Sequence, residues 1–167
     1  NRVDGRDPRL VADVDAAGVH SAGDHGADAV EREGAVDGQA ERCVGNAFGR
    51  LRRLLEQHQG IDKPRAYVTV SVLHNPTGSS ITLAAAHEVL KIAEAHDLTI
   101  VEDDSYAWLA SPQAPRLSAL DQLQRTVYVC GFSKILTPAW RVGFLAAAPA
   151  LVERAIDRKL LTTLGAP

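Results

Sequence analysis

The chain has 167 residues, 46% of them hydrophobic and 23% charged, with a formal net charge of -3 and a pI near 6.1. Length fits one ordinary soluble domain, and no run of about 18 apolar residues exists that could span a membrane. The start lacks a basic-then-apolar secretory pattern, the mild acidity argues against a nucleic-acid-binding face, and Cys43 and Cys130 stand in neither a metal-ligand nor a disulfide spacing, so a cytoplasmic protein with free thiols is expected.

The chain contains no Met, and its composition is uneven. Residues 1–45 hold Leu10 as their only Leu and no Ile, Phe, Tyr or Trp. So little large apolar surface cannot offset roughly 1–2 kcal/mol per residue of backbone ordering entropy. Residues 1–60 carry 11 acidic and 8 basic side chains, while 61–167 carry 10 of each, so the net charge sits in the early part. Neither a helical nor a strand period can be traced there. Two readings stay open, a disordered extension or a translated wrong frame of GC-rich DNA, the latter suited by 14 Arg against 4 Lys. The expected organisation is an atypical segment at 1–47 and a folded unit at 48–167.

Leu51, Leu54 and Leu55 have helical spacing that runs down at Gly60. Ala66 to Leu73 alternates as a strand and ends in His74-Asn75-Pro76-Thr77-Gly78, whose last four residues suit a type I turn. Thr82 or Ser80 caps a helix expected over 83–96, with Leu83, Ala86, Leu90 and Ala93 along one face. Leu98 to Val101 is a short strand stopping at Glu102-Asp103-Asp104. Thr126 to Phe132 and Arg141 to Ala147 are further strands, and Pro149 opens a last helix to about Leu164. This order predicts an α/β sheet with polar clusters just beyond strand ends, the rim where open α/β sheets bind ligands.

Taken singly, each cluster has a plain explanation. Asn75 to Gly78 is good turn chemistry, Glu102 to Asp104 reads as a solvated loop, and Lys134 as a surface lysine. No G-x-G-x-x-G, Walker loop or nucleophile elbow occurs, and His20, His25 and Cys43 lack zinc spacing, so no metal site is expected.

In order, however, H-N-P-T-G, E-D-D-S-Y and F-S-K-I-L-T-P-A-W-R-V-G resemble the fold-type I pyridoxal-phosphate enzymes, class I/II aminotransferases, over about 51–164. The E-D-D-x-Y and K-x-x-x-P-x-x-R-x-G forms look most like the 2-aminoadipate/aromatic aminotransferase branch. That branch also supplies the aminotransferase-like half of winged-helix transcription regulators. The resemblance implies part of a three-layer αβα large domain with a mostly parallel sheet, and transamination between an amino acid and a 2-oxo acid. A ligand-sensing regulator domain is the alternative.

Pyridoxal phosphate is an electron sink, so its protein must hold it covalently, keep its ring nitrogen protonated and anchor its phosphate. By the resemblance, Lys134 is the catalytic lysine that forms the Schiff base and shuttles the proton. An amine does this when desolvation and neighbouring positive charge make it shed its proton, a setting expected from a strand-end pocket beside Arg141. Asp103 pairs with the ring nitrogen, since the family spacing D-x-x-Y joins Asp103 to Tyr106. Tyr106 and Asn75 hydrogen-bond the phenolic oxygen, Arg141 grips the phosphate, and Ser133 assists. Glu102 and Asp104 are expected to serve the loop. Gly131 departs from the family's hydroxyl residue, and neither the earlier phosphate loop with its stacking aromatic nor the carboxylate-binding arginine of a later domain is found. The chain is therefore expected to be a truncated fragment of a homodimeric parent, with weak or no cofactor binding and no nucleic-acid partner of its own.

Overall fold

The computed structural model describes residues 10–12 and 47–162. The expectations for residues 1–9 and 13–46 fall outside the described residues. Leu10–Ala12 forms a strand, β1, where the sequence has no β pattern. Its partner supplies the ladder: β1 runs parallel to β2, Ala66–Thr69, with Val11 opposite Tyr67.

The sheet takes its five strands in chain order. β2 pairs parallel with β3, Thr99–Asp103, and β3 parallel with β4, Thr126–Gly131. β5, Gly143–Ala146, returns antiparallel to β4 and forms the edge. The result is an open mixed sheet with helices, part of an αβα domain. No helix among the described residues is long and apolar enough to cross a membrane.

Burial in β2 and β3 alternates, as a half-covered sheet requires. Tyr67, Thr69, Ile100 and Glu102 are buried on one face. Tyr67 and Ile100 pack there with α1, described over 47–57, α2, Leu83–His96, and α3, Leu117–Asp121. In α1 the expected leucine face is present, with Phe48, Leu51 and Leu55 buried.

The Thr82 cap forms as expected, its hydroxyl accepting from the Ala85 N–H at 3.2 Å, and Asp97 ends α2 in the left-handed region at φ 54°. The buried face of α2 is turned from the expected one: Ala85, Ala86, Val89, Ile92 and Ala93 are buried, whereas Leu83, in the first turn, is 54% exposed.

Several boundaries differ from expectation. β2 ends at Thr69 rather than Leu73, and Leu73 itself adopts φ 52°, outside the extended region. The loop that follows closes through His74 N–H to Ser79 O at 2.8 Å and Gly78 N–H to His74 O at 2.6 Å, and its Asn75–Pro76 peptide is cis, unlike the bond of a type I turn. β3 continues two residues beyond Val101 and so carries Glu102 and Asp103 within the ladder. β5 begins at Gly143, since a 3-10 turn at Pro138–Trp140 and a left-handed Arg141, φ 52°, precede it. The last helix, α4, spans Pro149–Thr162.

Candidate functional site

Strand periodicity sorts the three consecutive carboxylates. Neighbouring residues in a strand point to opposite faces. Glu102 therefore enters the core face, fully buried, where it accepts from the Ser71 hydroxyl and from the Leu117 and Ser118 N–H groups at 2.7 and 2.8 Å. It satisfies the opening N–H groups of α3, a contact reaching 15 residues along the chain. Asp104, just past the strand, is also buried. Its Oδ2 accepts from Arg116 Nε at 3.0 Å and the Tyr128 hydroxyl at 3.1 Å, while Oδ1 has no hydrogen-bond partner among the described residues. Burial pushes the Tyr128 phenol up from its ordinary range, and the Asp104 charge and hydrogen bond push it further. Arg116 also donates to the carbonyls of Ala107, Ser111 and Ala114, tying down the loop after β3.

Asp103 lies between these two and faces the other way. It lines a cavity of about 700 Å³ bounded by the ends of β3 and β4, by β5 and by α4. Ser105 donates twice to one Asp103 oxygen, Oδ1, through its N–H at 3.0 Å and its hydroxyl at 2.5 Å. Among the described residues Oδ2 accepts no hydrogen bond.

Of the residues singled out in the sequence, the structure brings Asp103, Ser133 and Arg141 to this one cavity. Lys134, Tyr106 and Asn75 do not line it. Lys134 is exposed on the turn that Leu136 N–H closes onto Phe132 O at 2.9 Å, so the desolvated setting expected for it is not found within the described residues. Asn75 is exposed on the loop after β2, and Tyr106 is half-buried at the start of a 3-10 turn, Ala107–Leu109. Arg141 is exposed, and its left-handed backbone is a conformation costing a non-glycine residue about 1–2 kcal/mol.

The cavity wall also includes Cys130 and Ser105, which the sequence reading passed over. An Asp followed two residues later by Ser is the signal that marks Ser105, because such pairs close local side-chain-to-backbone turns. Gly143 has a steric reason: a Cβ there would stand 2.8 Å from the Cys130 carbonyl oxygen. At Gly131, which stands where the family has a hydroxyl residue, an added Cβ would meet nothing closer than the Val142 carbonyl oxygen at 3.9 Å, so the site has room for a side chain.

This arrangement offers a carboxylate with one open oxygen, a guanidinium and a hydroxyl around one cavity. Such a donor set suits a ligand with a cationic or N–H group at one end and an anionic group at the other. Comparison with known proteins gives the same direction. The chain is 36% identical over 98 residues to (S)-3,5-dihydroxyphenylglycine transaminase of Amycolatopsis orientalis, a match covering 59% of this chain and 22% of that protein. It is 29% identical over 121 residues to the HTH-type transcriptional regulator NorG of Staphylococcus aureus, covering 72% and 27%. Among solved structures it resembles LysN, the alpha-aminoadipate aminotransferase of Thermus thermophilus complexed with N-(5'-phosphopyridoxyl)-L-leucine, with a TM-score of 0.63, 26% identity and coverage of 72% and 31%. The chain thus spans about a quarter of the length of the curated relatives it matches. The family model described as aminotransferase class I and II matches residues 37–163, most of the chain, and the protein belongs to that family.

Proposed function

We propose that the strand-end cavity holds pyridoxal phosphate and that the protein serves transamination between an amino acid and a 2-oxo acid. The observation that carries this reading is the meeting of Asp103, Ser133 and Arg141 at one cavity, with Asp103 Oδ2 open. The donor set fits the group: Asp103 would hold the protonated ring nitrogen, and Arg141 with Ser133 would hold the phosphate. The phosphopyridoxyl adduct named for the Thermus relative supports the same cofactor. When bound, pyridoxal phosphate supplies the electron sink that lets an amino acid's Cα release its proton.

Within this chain Lys134 would carry the cofactor covalently and move the Cα proton, while Tyr106 and Asn75 would donate to the phenolic oxygen. Those three stand outside the cavity lining, and Lys134 and Arg141 are exposed to water. Water competes for both charges, so the 167-residue chain binds the cofactor weakly. The working assembly is a homodimer in the cytoplasm.

Adding pyridoxal phosphate to the chain at high concentration and reducing with borohydride should fix the label on Lys134, located by mass spectrometry of the digest. Label confined to other lysines, or none at any concentration, would sink the assignment. The similarity to NorG favours a second reading, cofactor-dependent sensing by a transcription regulator. A genomic reading frame that joins a winged helix to this chain would select it.

A further inference from the structure

We infer that Ser105 is a positioning residue that presents Asp103 to the ring nitrogen of the cofactor; the inference rests on the pyridoxal-phosphate reading above. A carboxylate on a short side chain turns readily, because the terminal torsion of Asp is broad and two-fold. Here the torsion is pinned. Ser105 gives both of its donors, N–H at 3.0 Å and hydroxyl at 2.5 Å, to the same oxygen, Oδ1. Oδ2 is thereby left as the acceptor, on a residue that lines the cavity beside Ser105 itself. Had one donor gone to each oxygen, each would keep a lone pair and neither would be presented ahead of the other.

The effect is preorganisation. A carboxylate already aimed loses little freedom when an N–H arrives, whereas a swivelling one must be ordered on binding. The backbone donor survives every substitution at position 105 but proline, so removing the hydroxyl takes away the shorter of the two contacts and leaves the turn its other bond. Neither Glu102 nor Asp104 can take over. The first is bound by three donors on the opposite face, and the second is engaged by Arg116 and Tyr128.

The test measures the affinity of the full chain for two compounds, pyridoxal phosphate and its carbocyclic analogue with C–H in place of the ring nitrogen. Borohydride trapping on Lys134 serves as the readout. Ser105→Ala is expected to weaken pyridoxal phosphate about tenfold, a charge-assisted hydrogen bond's share, and to leave the analogue unchanged. Ser105→Thr, which keeps the hydroxyl, should restore the preference. Equal weakening for both compounds, or no change for either, would overturn the role of Ser105 while leaving the cofactor reading standing. If Asp103→Ala removes the preference in a chain whose Ser105→Ala variant retains it, Asp103 acts without Ser105's help. Absence of Lys134 label with both compounds in the unsubstituted chain would bring down the pyridoxal reading itself, and the inference with it.

Discussion

The two faces of the β3 end are built on opposite terms. On the core face, Glu102 and Asp104 are 0% and 1% exposed and tied to helix, loop and neighbouring strand. On the other face lie Asp103, Ser133 and Arg141, around a cavity whose further walls, β5 and α4, keep large apolar residues in contact with water. Leu145 is 41% and Ile156 53% exposed. The packed face fixes positions, and the open face leaves polar groups at the wall of a cavity. Carboxylates one residue apart thus acquire opposite duties from the strand's two-residue period alone.

The strongest challenge to that division is Glu102→Ala. It strands the Ser71 hydroxyl and two α3 N–H groups in a closed interior, and a loss of about 3 kcal/mol or more is expected in chemical denaturation. A loss below about 1 kcal/mol would mean that α3 finds other partners and that the core face is less committed than described. Asp103→Ala, one residue on, should change stability far less.

A smaller effect sharpens the contrast on the β4–β5 side. Gly143→Ala places a methyl group 2.8 Å from a backbone carbonyl oxygen and should cost about 1–3 kcal/mol. At the paired position Gly131→Ala meets nothing closer than 3.9 Å and should stay within about 0.5 kcal/mol by thermal unfolding. Equal penalties would show that the edge pairing, not the close approach, sets the requirement.

The mildest test is pH. The Tyr128 phenol is raised in the folded chain, chiefly by burial and then by Asp104, so the folded state keeps its proton where the unfolded state sheds it. Stability from this source is complete below about pH 10, the ordinary phenol value, and is lost as pH rises beyond it. Denaturation midpoints should fall with increasing pH in that alkaline range, and the slope should be shallower in Tyr128→Phe. An unchanged slope would mean that folding leaves the Tyr128 phenol where it is in the unfolded chain.

Much of the fold was legible because α1, α2, β2, β3 and β4 carry local periodicity and, for α2, a cap residue at Thr82. What escaped was held from a distance. α3 has five residues and no cap of its own, and its opening N–H groups are satisfied by a side chain 15 positions earlier. β1 has no pattern to read and is a strand by virtue of its neighbour. In the site, motif spacing led to Asp103, Ser133 and Arg141, which meet at the cavity. The same spacing named Lys134, Tyr106 and Asn75, whose backbone leads them elsewhere within the described residues. Ser105 was missed because its two contacts to Asp103 are local geometry around one oxygen, and the Asp-x-Ser spacing that marks them is common in ordinary turns.

The tripeptide at the end of β3 also constrains how this chain can change in length. A loop can gain or lose a residue and relax, but a single insertion or deletion within β3 would swing every side chain beyond it to the other face. An insertion would bring Glu102, one methylene longer, to the cavity position, whereas a deletion would offer α3 the shorter Asp103 carboxylate, which stops short of its N–H groups. Substitutions at Glu102, Asp103 and Asp104 can be explored one at a time. Their spacing cannot drift at all without exchanging scaffold for site.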